Sequence, residues 1–132
     1  MNRKVFDLSI IYDVNHFNKF DTSILCNRII ESDFLISDDN CTHRLIGLHY
    51  IRGGLYAPII TVICTRNEMA YAKKIAFENG KKIYRHSKIS AILFKKYPVG
   101  AEINPEDFSY VVNFYANFYE RQDNNKNYNN LH

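Results

Sequence analysis

The hydrophobic positions of the chain follow two periods, one typical of strands and the other typical of helices. Four short apolar runs, bounded by turn residues and rich in Ile, Leu, Val and Tyr, predict strands. These runs are Phe34–Ser37, Arg44–Tyr50, Ile59–Thr65 and Lys82–Tyr84. The run Ile59–Thr65 is almost continuously hydrophobic, which favours a central strand that is covered on both faces.

Apolar residues spaced three and four apart predict three helices, near residues 67–79, 87–96 and 105–120. The predicted N-terminal caps are Asn67, Ser87 and Asn104, the last followed by Pro105. The pair Asn79-Gly80 is suited to end the first helix. The predicted buried positions are Met69, Ala72, Ala76 and Phe77 in the first helix and Phe108, Val111, Val112, Tyr115 and Phe118 in the last.

The order of these elements predicts a single α/β domain, in which a sheet of about four strands is covered by three to four helices. The helix near 67–79 connects two strands as a crossover. Residues 32–120 form the predicted domain, and residues 1–31 form an N-terminal extension that is helical or irregular. Residues 121–132 contain five asparagines and no apolar period, which predicts a disordered tail.

Length and cysteine content narrow the class of protein. The chain has 132 residues and a mass of 15.5 kDa, enough for one packed domain without disulfides or a metal. Its apolar runs are far shorter than the ~20 residues that span a bilayer. Three cysteines without C-x-x-C spacing argue against a disulfide framework and indicate a reducing, cytoplasmic location. Cys26 and Cys64 are predicted to be small buried hydrophobes.

Positive charge is concentrated in the middle of the sequence. From Arg66 to Lys96 there are nine Lys or Arg residues against only Glu68 and Glu78. Such charges are common on a solvated helix face, but they also suit an acidic protein, an anionic lipid or nucleic acid as a partner. The candidate partner-binding residues are Lys73, Lys74, Lys81, Lys82 and Lys88. Lys73 and Lys74 are expected to face water.

Several short motifs occur in an order that resembles a known family. They are Asn40-Cys41-Thr42-His43 after the first strand, Tyr50-x-x-Gly53-Gly54 and Ala57-Pro58 before the third, Glu78-Asn79-Gly80 at a helix end, and Val99-Gly100-Ala101-Glu102-Ile103 before Pro105-Glu106. Residues from about 32 to 120 thus resemble the cytoplasmic C-terminal domain of the FlhB/YscU family, the substrate-specificity switch of flagellar and virulence-associated type III secretion. Cys41 stands where the family has proline.

The resemblance implies an interaction module at the cytoplasmic face of the bacterial inner membrane. Its implied partners are type III export substrates, export-gate components and the membrane half of an FlhB/YscU-like protein. It also implies self-cleavage after Asn40, in which the asparagine side-chain nitrogen attacks its own backbone carbonyl and expels the amine of residue 41.

Cys41 in place of proline changes the chemistry of this turn. Proline has no backbone N–H, whereas the nitrogen of Cys41 can attack the Asn40 side chain, which gives deamidation without cleavage. The thiol of Cys41 can instead attack the Asn40 carbonyl, with His43 as a base. We expect Asn40, Cys41, Thr42 and His43 to form a largely inactive self-cleavage turn, and we expect Cys41→Pro to favour cleavage.

Other catalytic and ligand-binding patterns are missing from the sequence. Cys41 and His43 have no second ligand pair at zinc-finger spacing, so no metal is expected. No Gly-rich phosphate loop or Ser/His/Asp pattern is found, so neither a cofactor nor enzymatic turnover is expected. The alternative function is a free-standing basic α/β domain that binds nucleic acid or another anionic partner through its lysines.

Overall fold

The computed structural model describes residues 19–51, 53–54 and 57–130. Its elements are, in chain order, α1 (Lys19–Glu31), β1 (Phe34–Ser37), β2 (Arg44–His49), β3 (Ile59–Thr65), α2 (Met69–Glu78), β4 (Ile83–Arg85), α3 (Ser87–Lys96) and α4 (Phe108–Asn130). Single 3-10 turns at Arg66–Glu68 and Pro105–Asp107 precede α2 and α4. The predicted strands and helices are confirmed, with boundaries that differ by at most two residues except in α4, which begins three residues later and ends ten residues later than predicted.

The four strands form one mixed sheet in the order β3-β2-β1-β4. β2 is antiparallel to both β1 and β3, and β4 is parallel to β1. β3 and β4 therefore run in the same direction at opposite edges of the sheet, and α2 crosses one face to connect them. This confirms the α/β class and the crossover role of α2.

Two apolar clusters cover the two faces of the sheet and make a three-layer domain. On one face, α1 and α2 pack against Leu35, Leu45 and Val62. On the other face, α3 and α4 pack against Phe34 and Ile46 among others. Adjacent residues of β1 enter opposite clusters because successive side chains of a strand point to opposite faces.

The placement of β3 corrects the prediction of a central strand. β3 lies at the edge of the sheet, with β2 as its one full strand neighbour. It is hydrophobic because helices cover both of its faces: Ile60 lies in one cluster and Cys64 in the other. Its outer backbone is partly paired as well, since Ile60 N donates to Ala101 O at 2.9 Å. A continuously hydrophobic strand sequence indicates that both faces of the strand are covered. An edge strand can be covered in this way as well as a central strand.

Two predicted helix caps are wrong. Before α2, Thr65 is the cap of the 3-10 turn, and its N–H donates to the carboxylate of Glu68 at 2.8 Å. Glu68 rather than Asn67 occupies the cap position of α2 itself. Before α3, the side chain of His86 rather than Ser87 caps the helix and accepts from Ile89 N at 3.1 Å. Ser87 is used elsewhere, in a contact with the turn between β1 and β2. Several polar residues near a helix start can act as caps, and the tertiary contacts of each decide which one does.

The buried face of α4 is rotated from the predicted one. Val111 and Tyr115 are buried, and Phe118 packs beside them, as predicted. Phe108 and Val112 are exposed at 40% and 55%, respectively. In α2, Phe77 is likewise exposed, at 85%. Apolar residues on neighbouring rows of a helix share the same spacing, so periodicity alone does not select the row that faces the sheet.

The two ends of the described chain differ from the predicted domain limits. α1 belongs to the packed domain, since Leu25 and Ile29 are buried in the same cluster as α2. Residues 1–18 of the predicted extension lie outside the described residues. At the other end, α4 continues to Asn130, where composition predicts a disordered tail. Residues 121–124 are exposed, so this part continues from a packed helix by backbone hydrogen bonds rather than by burial.

Candidate functional site

The tetrapeptide Asn40-Cys41-Thr42-His43 lies in the turn that connects β1 and β2, at one end of the sheet. Asn40, Thr42 and His43 are exposed, whereas the side chain of Cys41 is buried. Among the described residues, no hydrogen bond orients the side chain of Asn40. The residues of the predicted self-cleavage turn are therefore adjacent in the fold, but no described residue holds the attacking group in place by a hydrogen bond.

The side chain of Asp38 holds the backbone of this turn by hydrogen bonds. Its buried carboxylate accepts hydrogen bonds from the backbone N–H groups of Thr42 at 3.2 Å, His43 at 2.9 Å and Arg44 at 3.1 Å. Thr42 Oγ1 donates to the same carboxylate at 3.2 Å, and His43 Nδ1 lies 3.4 Å from it. The sequence analysis missed Asp38, although an aspartate directly after a strand is a known signal for a turn held by its side chain.

The pKa of Asp38 follows from these contacts. Burial alone would raise the pKa, because it disfavours the charged form. The backbone hydrogen bonds of His43, Arg44 and Thr42 outweigh it and hold the pKa of Asp38 well below its ordinary value. The carboxylate is thus a permanent negative charge that fixes three consecutive backbone amides.

Cys41 has a backbone conformation that proline cannot adopt. Its φ is +55°, in the left-handed region, whereas the proline ring fixes φ near about −65°. Its N–H donates to Asp38 O at 2.9 Å, and its carbonyl accepts from Lys73 Nζ at 2.9 Å. Lys73 therefore contacts the turn instead of facing water as predicted. These two hydrogen bonds offset the roughly 1–2 kcal/mol that a left-handed conformation costs an ordinary residue.

The turn is attached to helices in both outer layers. Lys73 reaches it from α2 on one face of the sheet. From α3 on the other face, Ser87 Oγ accepts from Asp39 N at 2.9 Å, and Ser87 N donates to Asp39 Oδ1 at 3.1 Å. Asn40 lies between these two attachments. The backbone on both sides of the Asn40–Cys41 bond is consequently fixed by the fold.

The five candidate lysines do not form one continuous surface. Lys74 is exposed on α2, and Lys88 is exposed on α3 in the opposite layer. Lys82 lies beside β4 with Nζ 5.6 Å from the ring of Tyr84, and Lys81 precedes it and is half-buried. The basic sequence segment is therefore distributed around the domain.

An apolar groove of about 630 Å³ lies along α4. It is lined by Tyr50, Pro58, Ile103, Phe108, Val112 and Tyr115 among others, with Glu102 as its charged residue. The exposed Phe108 and Val112 lie on its wall, so these two members of the predicted buried stripe line an open groove. A surface of this kind can accommodate apolar side chains of a bound segment.

The described residues contain no group of three or more His, Cys, Asp or Glu side chains that could hold a metal ion. None of the described helices has a stretch long and apolar enough to cross a membrane. Cys26 is half-buried, and Cys64 is fully buried with its pKa raised to about 12 by burial and by the nearby charge of Glu68. Cys64 is therefore an inert core residue, as predicted.

The fold and the turn define a class of protein: a three-layer α/β domain with an Asn-x-Thr-His turn between its first two strands. No protein-family model and no curated protein matches the sequence. Solved structures share the fold. The EscU C-terminal domain with an asparagine replaced by aspartate superimposes with a TM-score of 0.66 at 21% identity, covering 73% of this chain and 86% of that chain.

Two further structures agree with this likeness. The EscU C-terminal domain with a proline replaced by alanine has a TM-score of 0.62 at 21% identity and covers 67% of this chain and 86% of that chain. The cytoplasmic domain of FlhB from Shewanella putrefaciens has a TM-score of 0.66 at 12% identity, with 78% of this chain and 82% of that chain covered. The resemblance to the FlhB/YscU family is therefore confirmed at the level of the fold.

Proposed function

We propose that this chain is a cytoplasmic component of a type III protein export apparatus and acts there as an uncleaved interaction module. The observation that supports the proposal is the position of Asn40-Cys41-Thr42-His43 between β1 and β2 of a fold shared with EscU and FlhB. The substitutions in the EscU structures fall on an adjacent asparagine and proline. We assign Asn40 and Cys41 to the corresponding pair, with export substrates, export-gate components and the membrane half of an FlhB/YscU-like protein as partners.

The absence of self-cleavage is part of this proposal. Attack of an amide nitrogen on its own backbone carbonyl depends on a geometry that holds the two atoms together. The side chain of Asn40 has no such restraint among the described residues, and Asp38, Lys73 and Ser87 fix the backbone on both sides of it. The turn therefore presents a constant surface rather than one that changes after cleavage.

Purified protein should remain one chain. After several days at pH 7.5, mass spectrometry is expected to show the intact 15.5 kDa species, with at most a small fraction gaining the mass of a deamidation. Asn40→Ala, which removes the side-chain nucleophile, is the control and should likewise remain one intact chain at its own mass. Near-complete conversion of the parent to fragments that end at Asn40 and begin at Cys41, with Asn40→Ala intact, would contradict this part of the proposal.

The role in export can be tested in the source organism. Deletion of the gene should reduce the export substrates found in the culture supernatant by about tenfold or more, while the same proteins accumulate in the cell. Complementation with the parent should restore secretion. Complementation with Val112→Asp, which places a charge in the apolar groove, should not, because burying an unpaired carboxylate against an apolar segment is unfavourable.

Asn113→Asp provides the matched control for that experiment. Asn113 is the next residue of α4, is exposed and does not line the groove, so its substitution adds the same charge to the same helix. It should complement like the parent. Unchanged secretion in the deletion strain would refute the proposed function. Equal complementation by both variants would show that the groove is not needed for that function.

The alternative, a free-standing domain that binds nucleic acid, has less support. A nucleic-acid groove needs a track of cations that follows successive phosphates. Lys74 and Lys88 lie in opposite layers, and Lys73 is engaged with the carbonyl of Cys41. The lysines that suggested this function therefore do not make such a track.

A further inference from the structure

A second, more polar cavity of about 550 Å³ lies at the end of the sheet that carries the turn. It is lined by His43, Arg44, Thr65, Arg66, Asn67 and Phe94. These residues come from the first residues of β2, from the end of β3 and the 3-10 turn after it, and from α3. None of them carries a carboxylate, and His43 belongs to the turn itself. The cavity is of the size usual for ligand sites.

Arg44 lines this cavity, and its guanidinium is held in place by α3. Its Nη1 donates to Ser90 Oγ at 3.1 Å and lies 3.5 Å from the carbonyl oxygen of Ser87. Both partners are neutral, and no carboxylate of the described residues lies within ion-pair distance of Arg44. The positive charge is therefore fixed in position without a counter-ion from the described part of the chain.

Arg66 is the second arginine that lines the cavity. It is exposed and makes no ion pair or side-chain hydrogen bond with the described residues. The nearby Glu68 makes no ion pair with it, and the carboxylate of Glu68 accepts from Thr65 N–H at 2.8 Å. Phe94, 42% exposed, adds an apolar surface to the same cavity.

Two arginines that line one cavity and make no ion pair with the described residues suit a planar anion. The fork of N–H donors on arginine matches the two oxygens of a carboxylate and binds them bidentately. We propose that this cavity binds an acidic peptide segment of a partner protein, with a carboxylate between Arg44 and Arg66 and a neighbouring apolar side chain on Phe94. The inference rests on the proposed function, since it names the chemistry of a partner that docks beside the turn.

The small extent of the positively charged site favours a peptide over nucleic acid as the ligand. The cavity offers two arginines in one place, whereas Lys74 and Lys88 lie on helices in opposite layers and do not extend the site. A carboxylate needs one pair of cations, but a strand of phosphates needs a row of them.

Direct binding of a short acidic peptide tests the assignment. A fluorescein-labelled peptide Glu-Glu-Phe-Glu-Glu, titrated with the full chain at low salt and followed by fluorescence polarisation, should bind saturably. The neutral peptide Gln-Gln-Phe-Gln-Gln should not. Arg66→Glu should weaken binding about tenfold or more, since it replaces an attraction by a repulsion at the site. Arg66 is exposed and makes no contacts that the fold needs.

Lys74→Glu is the matched control, because it makes the same change of charge on an exposed residue of α2 outside the cavity. It should change the dissociation constant less than twofold. Equal weakening by Arg66→Glu and Lys74→Glu, or no saturable binding by the parent, would overturn the proposal. Tighter binding of a ten-nucleotide oligouridylate that is lost in Arg66→Glu would also overturn it, in favour of nucleic acid.

The assay separates this inference from the proposed function because it needs no export apparatus. A chain that is required for secretion but does not bind the peptide keeps the proposed function and refutes the acidic site. A chain that binds the peptide through Arg66 but is dispensable for secretion supports the acidic-peptide site and refutes the proposed function.

Discussion

Replacing Cys41 by proline, which the sequence alone predicted to favour cleavage, is instead expected to lower the free energy of unfolding by about 3 kcal/mol or more. The φ of Cys41 is +55°, and proline cannot adopt a positive φ. The substitution also removes the N–H that donates to Asp38 O and displaces the carbonyl that accepts from Lys73. The turn must therefore be rebuilt before any cleavage chemistry can begin.

Cys41→Gly isolates the backbone effect. Glycine adopts a positive φ at no steric cost, keeps the N–H and, like proline, removes the thiol. The stability that is lost with the buried side chain is similar in size to the stability that is gained by relieving the backbone. The free energy of unfolding should therefore stay within about 1 kcal/mol of that of the parent. Urea unfolding of the three proteins, with intact mass recorded in parallel, makes the comparison. Equal stability of both variants, with the proline variant cleaved after Asn40, would show that residue 41 has a negative φ in solution.

Asp38→Asn is expected to cost about 2–3 kcal/mol, the second largest effect. The amide has nearly the same shape as the carboxylate, but it is neutral, so its hydrogen bonds from the N–H groups of Thr42, His43 and Arg44 are weaker. Its NH2 group also replaces Oδ2, the oxygen that accepts from Thr42 Oγ1. Asp123→Asn removes the same charge from an exposed position of α4 and should change stability by less than about 0.5 kcal/mol. A cost no larger than that of the control would mean that the carboxylate does not hold the turn.

Asp38→Asn should also make the free energy of unfolding less dependent on pH in acid solution. Because folding lowers the pKa of Asp38, its stabilisation is fully present above the unfolded value of about 3.9 and is lost progressively as the pH falls below it. Asp107 acts in the same direction, since a hydrogen bond from Lys96 and another from Tyr97 lower its pKa. The unfolding free energy of the parent should therefore fall more steeply between pH 4 and pH 2 than that of Asp38→Asn, while both keep the contribution of Asp107.

Local patterns in the sequence were enough to locate the elements and their order. Strand and helix periods depend on neighbours within a few residues, so runs such as Ile59–Thr65 and Ser87–Lys96 could be located from their own residues. The order of the elements then restricted the topology, because a helix that joins two parallel strands must cross one face of the sheet. The motif Asn40-Cys41-Thr42-His43 could also be located, since it is contiguous.

The tertiary structure alone decided how the turn is held. Lys73 contacts Cys41 from a residue 32 positions away in the sequence, and Ser87 contacts Asp39 from 48 positions away. Neither contact has a local signal. For the same reason, the edge position of β3 was not predictable, because a strand covered on both faces has the same hydrophobic pattern at the edge as at the centre.

The cavity lined by Arg44 and Arg66 was likewise not predictable from local sequence patterns. Arg44, Arg66 and Phe94 lie at the ends of three elements, and their separation in sequence gives no reason to group them. The sequence shows an excess of basic residues from Arg66 to Lys96, but the fold places lysines of this segment in both outer layers. The cavity combines Arg66 of this segment with Arg44, which lies outside it. Net charge is a sum over residues, whereas a binding site depends on distances between them, and those distances are set by the packing of the sheet against its helices.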